Sequence, residues 1–97
     1  MNKKVTVIAH IRAKARHEAR VREALLALIA PTRAEAGCIN YDLHVSQNDP
    51  RQFVFYENWA SESRLEAHEN SAHLRAFRGL AEEILDGPVE LTKWRML

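Results

Sequence analysis

The sequence is poor in residues that mark several common protein classes. Its single cysteine, Cys38, excludes an intramolecular disulfide and a cysteine-based zinc site. Its three glycines stand far apart, at positions 37, 79 and 87, which excludes a glycine-rich phosphate loop. The 14 Lys and Arg residues against 13 Asp and Glu give a formal net charge of +1, without the basic excess of nucleic-acid-binding proteins. No apolar run approaches the ~20 residues of a membrane-spanning helix. We therefore expect neither a nucleic-acid nor a membrane partner.

Length and composition indicate one small globular domain. The 97 residues have room for a single domain, residues 1–97, and the 46% hydrophobic and 28% charged residues are ordinary for a folded protein. The apolar stretch near the N-terminus is too short and too interrupted for a signal peptide, and small secreted domains usually carry disulfides. We expect a cytoplasmic protein.

Hydrophobic periodicity predicts the order of the elements. Apolar and polar residues alternate over 5–12, 38–47 and 52–60, and again over 89–96, which is typical of strands. Spacings of three and four predict a helix over 17–36, kinked or ended near Pro31 and stopped by Gly37. Ser61 or Ser63 can cap a second helical region, which bends at Asn70-Ser71 and ends before Gly87. The order βαββαβ predicts an α+β, ferredoxin-like fold: an antiparallel sheet with helices on one face.

The predicted sheet has apolar side chains on both faces. The second strand places Ile39, Tyr41, Leu43 and Val45 together, and the third strand separates Phe53, Phe55 and Trp59 from Val54 and Tyr56. Because helices cover only one face, the other needs a partner. A homodimer that packs sheet against sheet, a dimeric α/β barrel, is the simplest arrangement.

Histidines and one glutamate are the candidates for chemistry. His68 and His73 are five residues apart, ~140° around an ideal helix, so no metal site is expected unless the bend at Asn70-Ser71 brings them together. Glu57 lies on an aromatic strand, where a buried carboxylate needs a partner. It can hold the tautomer of a histidine or act as a base, or it can make a purely structural bond while Trp59 fills the core.

Three stretches resemble one known family: Glu35-Ala36-Gly37-Cys38-Ile39-Asn40-Tyr41, then Phe55-Tyr56-Glu57-Asn58-Trp59, then Leu65-Glu66-Ala67-His68 with Ser71-Ala72-His73 and Phe77. Their order and spacing resemble the antibiotic-biosynthesis-monooxygenase domain, and most closely its small bacterial quinol monooxygenase-like members. The resemblance covers nearly the whole chain.

The resemblance implies cofactor-independent oxidation of a small aromatic quinol or phenol by O₂, without flavin, haem or metal. It implies that His68 or His73 takes the phenolic proton, that Glu57 orients this base, and that Trp59 walls the substrate ring. The further substrate-binding positions that it implies are Tyr56, Asn58 and Phe77. Two alternatives stay open: a proton-transfer isomerase of a small carbonyl compound or phosphosugar signal, and a non-catalytic dimer that binds a small molecule.

Overall fold

The computed structural model describes residues 3–97, so Met1 and Asn2 of the predicted domain lie outside the described residues. The elements follow the order β1 (Val5–Arg12), α1 (Glu18–Leu26), α2 (Ile29–Arg33), β2 (Cys38–Val45), β3 (Gln52–Trp59), α3 (Glu62–Glu69), α4 (Ala72–Ile84) and β4 (Glu90–Trp94).

The strands form one antiparallel sheet in the order β2-β3-β1-β4. Alternation along β1 buries Val7, Ala9 and Ile11 beneath the helices. The opposite side, called the open face below, carries the alternate residues Thr6, Ile8 and His10. This architecture confirms the predicted α+β ferredoxin-like fold with its antiparallel sheet and helices on one face. No helix among residues 3–97 is long and apolar enough to span a bilayer.

The first helical region, which the sequence predicted as a helix over 17–36 kinked or ended near Pro31, is divided into two helices. α1 ends at Leu26 and α2 begins at Ile29, so Pro31 is the third residue of a new helix. Proline has no N–H to donate to the carbonyl of Ala27, and its ring crowds that carbonyl. Pro31 lies in the first turn of α2, where a backbone N–H has no partner within the helix, so the missing N–H and the crowding cost no intrahelical hydrogen bond.

A bulge in β2 places Ile39 on the face opposite to the one predicted, where it was grouped with Tyr41. Cys38 pairs with Trp59 and Asn40 pairs with Asn58, so the register skips Ile39. An extra residue in one strand reverses the alternation beyond it. Ile39 is therefore 57% exposed, whereas Tyr41 lies in the core.

The bend predicted at Asn70-Ser71 is confirmed. The hydroxyl of Ser61 accepts the N–H of Arg64 at the start of α3, and that of Ser71 accepts the N–H of Leu74 at the start of α4. Each serine satisfies an amide that has no partner within its helix. The interruption lets α4 take a new direction, and it sets the relative positions of His68 and His73.

Candidate active site

A cavity of about 300 Å³ lies between the helix-covered face of the sheet and helices α3 and α4. Its walls are mainly apolar, with aromatic sides from Phe55 and Phe77. The polar or charged residues that line it are Tyr41, Glu57, His68, Glu69 and Arg78. An apolar cleft with a few converging polar groups is the usual form of a small-molecule site.

Glu35, which follows α2, connects the two histidines. Its Oε2 lies 2.7 Å from Nδ1 of His68 and 3.0 Å from Nε2 of His73. One carboxylate oxygen thus accepts a hydrogen bond from each ring. The resemblance implied that Glu57 orients the histidine, whereas the carboxylate that contacts both rings is Glu35.

His68 turns its second nitrogen toward the cavity. Because Nδ1–H donates to Glu35, the neutral ring carries its lone pair on Nε2. No fully buried side-chain nitrogen or oxygen among the described residues lacks a partner, and Nε2 of His68 makes no hydrogen bond within that part of the chain. It is therefore accessible, and the residue, 3% exposed, lines the cavity. Burial lowers the pKa of His68, which outweighs the opposing effect of Glu35.

His73 lies behind this arrangement. Its Nε2 is within 3.1 Å of the Thr32 hydroxyl and 3.0 Å of Glu35, and the residue does not line the cavity. Thr32 is itself fully buried. His73 can hold Glu35 in place, but from here it cannot reach a ligand in the cavity.

Glu57 is 3% exposed and is held by Trp59, whose Nε1–H donates to its Oε1 over 2.9 Å. Burial raises the pKa of Glu57 to about 7, and the hydrogen bond from Trp59 only partly offsets this. The indole of Trp59 also packs against His68, with ring centroids 4.5 Å apart. Trp59 therefore fixes both Glu57 and His68.

Tyr41 completes the inner wall. Its ring stacks on Phe55 at 4.1 Å and meets the edge of His68 at 5.3 Å. Burial raises the pKa of its phenol. Tyr41 is therefore neutral near pH 7 and presents an aromatic surface rather than a charge.

The predicted substrate-binding residues are divided among three locations. Phe77 lines the cavity, as expected. Trp59 is fully buried behind the lining residues and does not form the wall predicted for it. Tyr56 and Asn58 lie on the open face, because neighbouring residues of a strand point to opposite sides. Asn58 bonds there to Thr6 and Asn40.

Glu35, His68 and His73 are also the donor set that fits a metal ion. One ligand atom from each lies within 4.8 Å of the others. Imidazole and carboxylate donors suit several divalent transition metals. A cation there would replace the protons that now link Glu35 to the two rings, so metal binding and this hydrogen-bond network exclude each other.

Sequence reasoning missed Glu35 as part of the site, together with Thr32. Glu35 is 33 residues from His68 and 38 from His73, so no local spacing connects them. One signal was present: Thr32 occupies a position of the apolar helical stripe, and a buried hydroxyl requires a hydrogen-bond partner.

Known proteins place the chain in a family. Residues 4–80 match the family described as antibiotic biosynthesis monooxygenase. The chain belongs to this family. It is 37% identical over 92 residues to the Mycobacterium tuberculosis protein named "Putative monooxygenase Rv0793", a match that covers 95% of this chain and 90% of that protein.

Other known proteins resemble the chain over most of its length. The Bacillus subtilis protein named "Putative monooxygenase YcnE" is 26% identical over 89 residues, a match that covers 92% of this chain and 94% of that protein. The crystal structure of PA3566 from Pseudomonas aeruginosa superposes with a TM-score of 0.94 at 37% identity, covering 100% of this chain and 97% of that one. The resemblance inferred from the sequence is thus confirmed, and family and names support a monooxygenase-like function.

Proposed function

We propose that this member of the antibiotic biosynthesis monooxygenase family oxidises a small aromatic quinol or phenol with O₂ and uses no cofactor. The observation that carries the proposal is His68, whose Nδ1 is held by Glu35 while its Nε2 is open to an aromatic-walled cavity. A volume of about 300 Å³ is at the lower end of small-ligand sites and suits one or two fused rings.

His68 is the general base in this proposal. The substrate hydroxyl donates its proton to Nε2, which is free at neutral pH because burial lowers the pKa of the ring. The imidazolium that forms is stabilised by Glu35, as a carboxylate stabilises the histidine of a catalytic triad. His73 is a positioning residue, since it contacts Glu35 and not the cavity.

The bound phenolate then supplies the electrons. For a quinol, one oxygen atom of O₂ enters the ring, the other leaves as water, and the product is a hydroxyquinone. The four electrons that reduce O₂ all come from the substrate. Phe55 and Phe77 hold the ring, and the apolar walls exclude water from the reactive intermediate.

An isomerase is the second candidate, because an acid and a base line the same cavity. Glu57, with its raised pKa, and His68 can move a proton between the carbon and oxygen atoms of a small carbonyl compound. Such a reaction consumes no O₂, so oxygen dependence separates the two functions.

Oxygen uptake by purified, chelator-treated protein tests the proposal against a panel of benzene and naphthalene quinols, corrected for autoxidation. We expect saturable uptake and, with ¹⁸O₂, one labelled atom in the product. Uptake no greater than autoxidation across the panel would contradict the monooxygenase. Turnover of a carbonyl substrate under nitrogen would then support the isomerase, and binding without turnover would indicate a carrier.

We further propose that the protein is a homodimer joined through the open face. Ile8 and Val54 occupy this face, and Tyr56 and Trp94 beside them are 42% and 56% exposed. A second copy of the chain would cover these side chains.

A further inference from the structure

Glu57 presents a polar atom to the cavity that nothing in the described chain satisfies. Its Oε1 accepts the N–H of Trp59, whereas Oε2 makes no hydrogen bond within residues 3–97. Since every fully buried side-chain oxygen in that part of the chain has a partner, Oε2 must be accessible. The residue is 3% exposed and lines the cavity, so Oε2 faces the cavity.

Glu57 and His68 line the same cavity, and both contact Trp59. The indole N–H is 2.9 Å from Glu57, and the indole ring is 4.5 Å from the ring of His68. Because Phe77 lines this cavity as well, a small ring bound there can approach both polar residues.

We propose that Glu57 is a neutral carboxylic acid that donates a hydrogen bond from Oε2 to a second oxygen of the ligand, while the ligand hydroxyl donates to Nε2 of His68. The cavity then selects aromatic compounds with a hydroxyl at one end and a carbonyl or oxyanion oxygen at the other. This inference rests on the proposed site, but it concerns binding and holds whether or not O₂ is consumed.

The surroundings of Glu57 favour its protonated form. Burial is the main reason that its pKa rises to about 7, and the charges of Glu69 and Glu35 raise it further. The titratable and charged groups around it, from every element that packs against the cavity, are Glu35, Cys38, Tyr41, His68, Glu69 and Arg78. The one strong cation among them, Arg78, donates to the backbone carbonyl of Glu69 over 2.6 Å.

Two matched ligands test the inference: 4-(hydroxymethyl)acetophenone and 4-ethylbenzyl alcohol. Both carry the alcohol that faces His68, but only the first has a carbonyl oxygen for Glu57. Neither titrates between about pH 5 and about pH 9, so the ratio of their dissociation constants reports on the carbonyl contact alone. The measurement is calorimetric titration of the full chain from about pH 5.5 to about pH 8.5.

We expect the wild-type protein to prefer the ketone by about 10-fold at the acidic end. This preference should fall toward unity with a midpoint near pH 7, as Glu57 loses its proton. Glu57→Gln keeps an oxygen for Trp59 and a pH-independent N–H₂ donor for the ligand. Its preference for the ketone should therefore stay constant with pH.

A wild-type ratio that does not change with pH would overturn the proposal, as would the same pH dependence in Glu57→Gln. Failure of both ligands to bind at any pH would also overturn it, because the cavity would then not accept this class. The wild-type series alone decides the matter if the variant does not fold. If the preference for the ketone depends on pH as expected but no O₂ is consumed, the role of Glu57 stands and the proposed monooxygenase activity is wrong.

Discussion

At the scale of single residues, the site depends on an unequal pair of histidines. Both contact Glu35, but only His68 lines the cavity. A sequence-based assignment treats the two as equivalent candidates for the base. The geometry makes them separable by mutation.

We expect His68→Gln to lower kcat by about 10²-fold or more, since it removes the group that accepts the substrate proton. His73→Gln should lower kcat by less than about 10-fold, because His73 acts only through Glu35. The measurement is the initial rate of oxygen uptake at saturating quinol. Circular dichroism should first show that both variants are folded and have the same unfolding temperature as the wild-type protein. A larger loss from His73→Gln than from His68→Gln would reverse the assignment.

Much of the site could be predicted from the sequence, but its central contact could not. His68, Glu57 and Phe77 were all named beforehand, and all three line the cavity. Glu35 was named only within a stretch that resembles the family and not as a site residue, because its contact with the histidines depends on how the end of α2 meets the start of α4. Such contacts between distant segments leave no periodic pattern.

At the scale of elements, the order βαββαβ could be predicted because a strand alternates its side chains with a period of two and a helix with a period between three and four. This periodicity missed the bulge at Ile39, and it placed the break of the first helical region near Pro31 rather than before Ile29. Both arise from backbone hydrogen bonding and leave the hydrophobic pattern nearly unchanged. The turn that joins α2 to β2 is the element-level feature with the strictest demand on residue type.

Gly37 in that turn has a φ of +85°, where a side chain is strained. A Cβ there would also meet the side chain of Arg64, with Cβ of Arg64 at 2.7 Å. We expect Gly37→Ala to lower the free energy of unfolding by about 1–3 kcal/mol, measured by urea denaturation.

Gly79 supplies the matched control. It lies within α4, and a Cβ there would meet nothing within 4 Å. Gly79→Ala should therefore raise the free energy of unfolding by about 0.5–1 kcal/mol. Equal effects of the two substitutions would show that the backbone of the α2–β2 turn is not constrained as described.

At the scale of the whole molecule, the two faces of the sheet have different surroundings. The helices cover one, whereas the open face leaves Tyr56 at 42% and Trp94 at 56% exposure. A chain of 97 residues gains little stability from its own core, so covering this face would add appreciably to it.

The proposed dimer predicts a mass of twice the 11.1 kDa chain by light scattering coupled to size-exclusion chromatography. Tyr56→Glu should weaken the dimer by about 10²-fold or more, because it buries an unpaired charge in the interface. Leu80→Glu is the control: Leu80 is 41% exposed, nearly as much as Tyr56, but lies on α4 away from the open face. If Leu80→Glu dissociates the dimer and Tyr56→Glu does not, the interface lies on the helices instead. In that case the subunits would meet beside the cavity, and substrate access would depend on the association state.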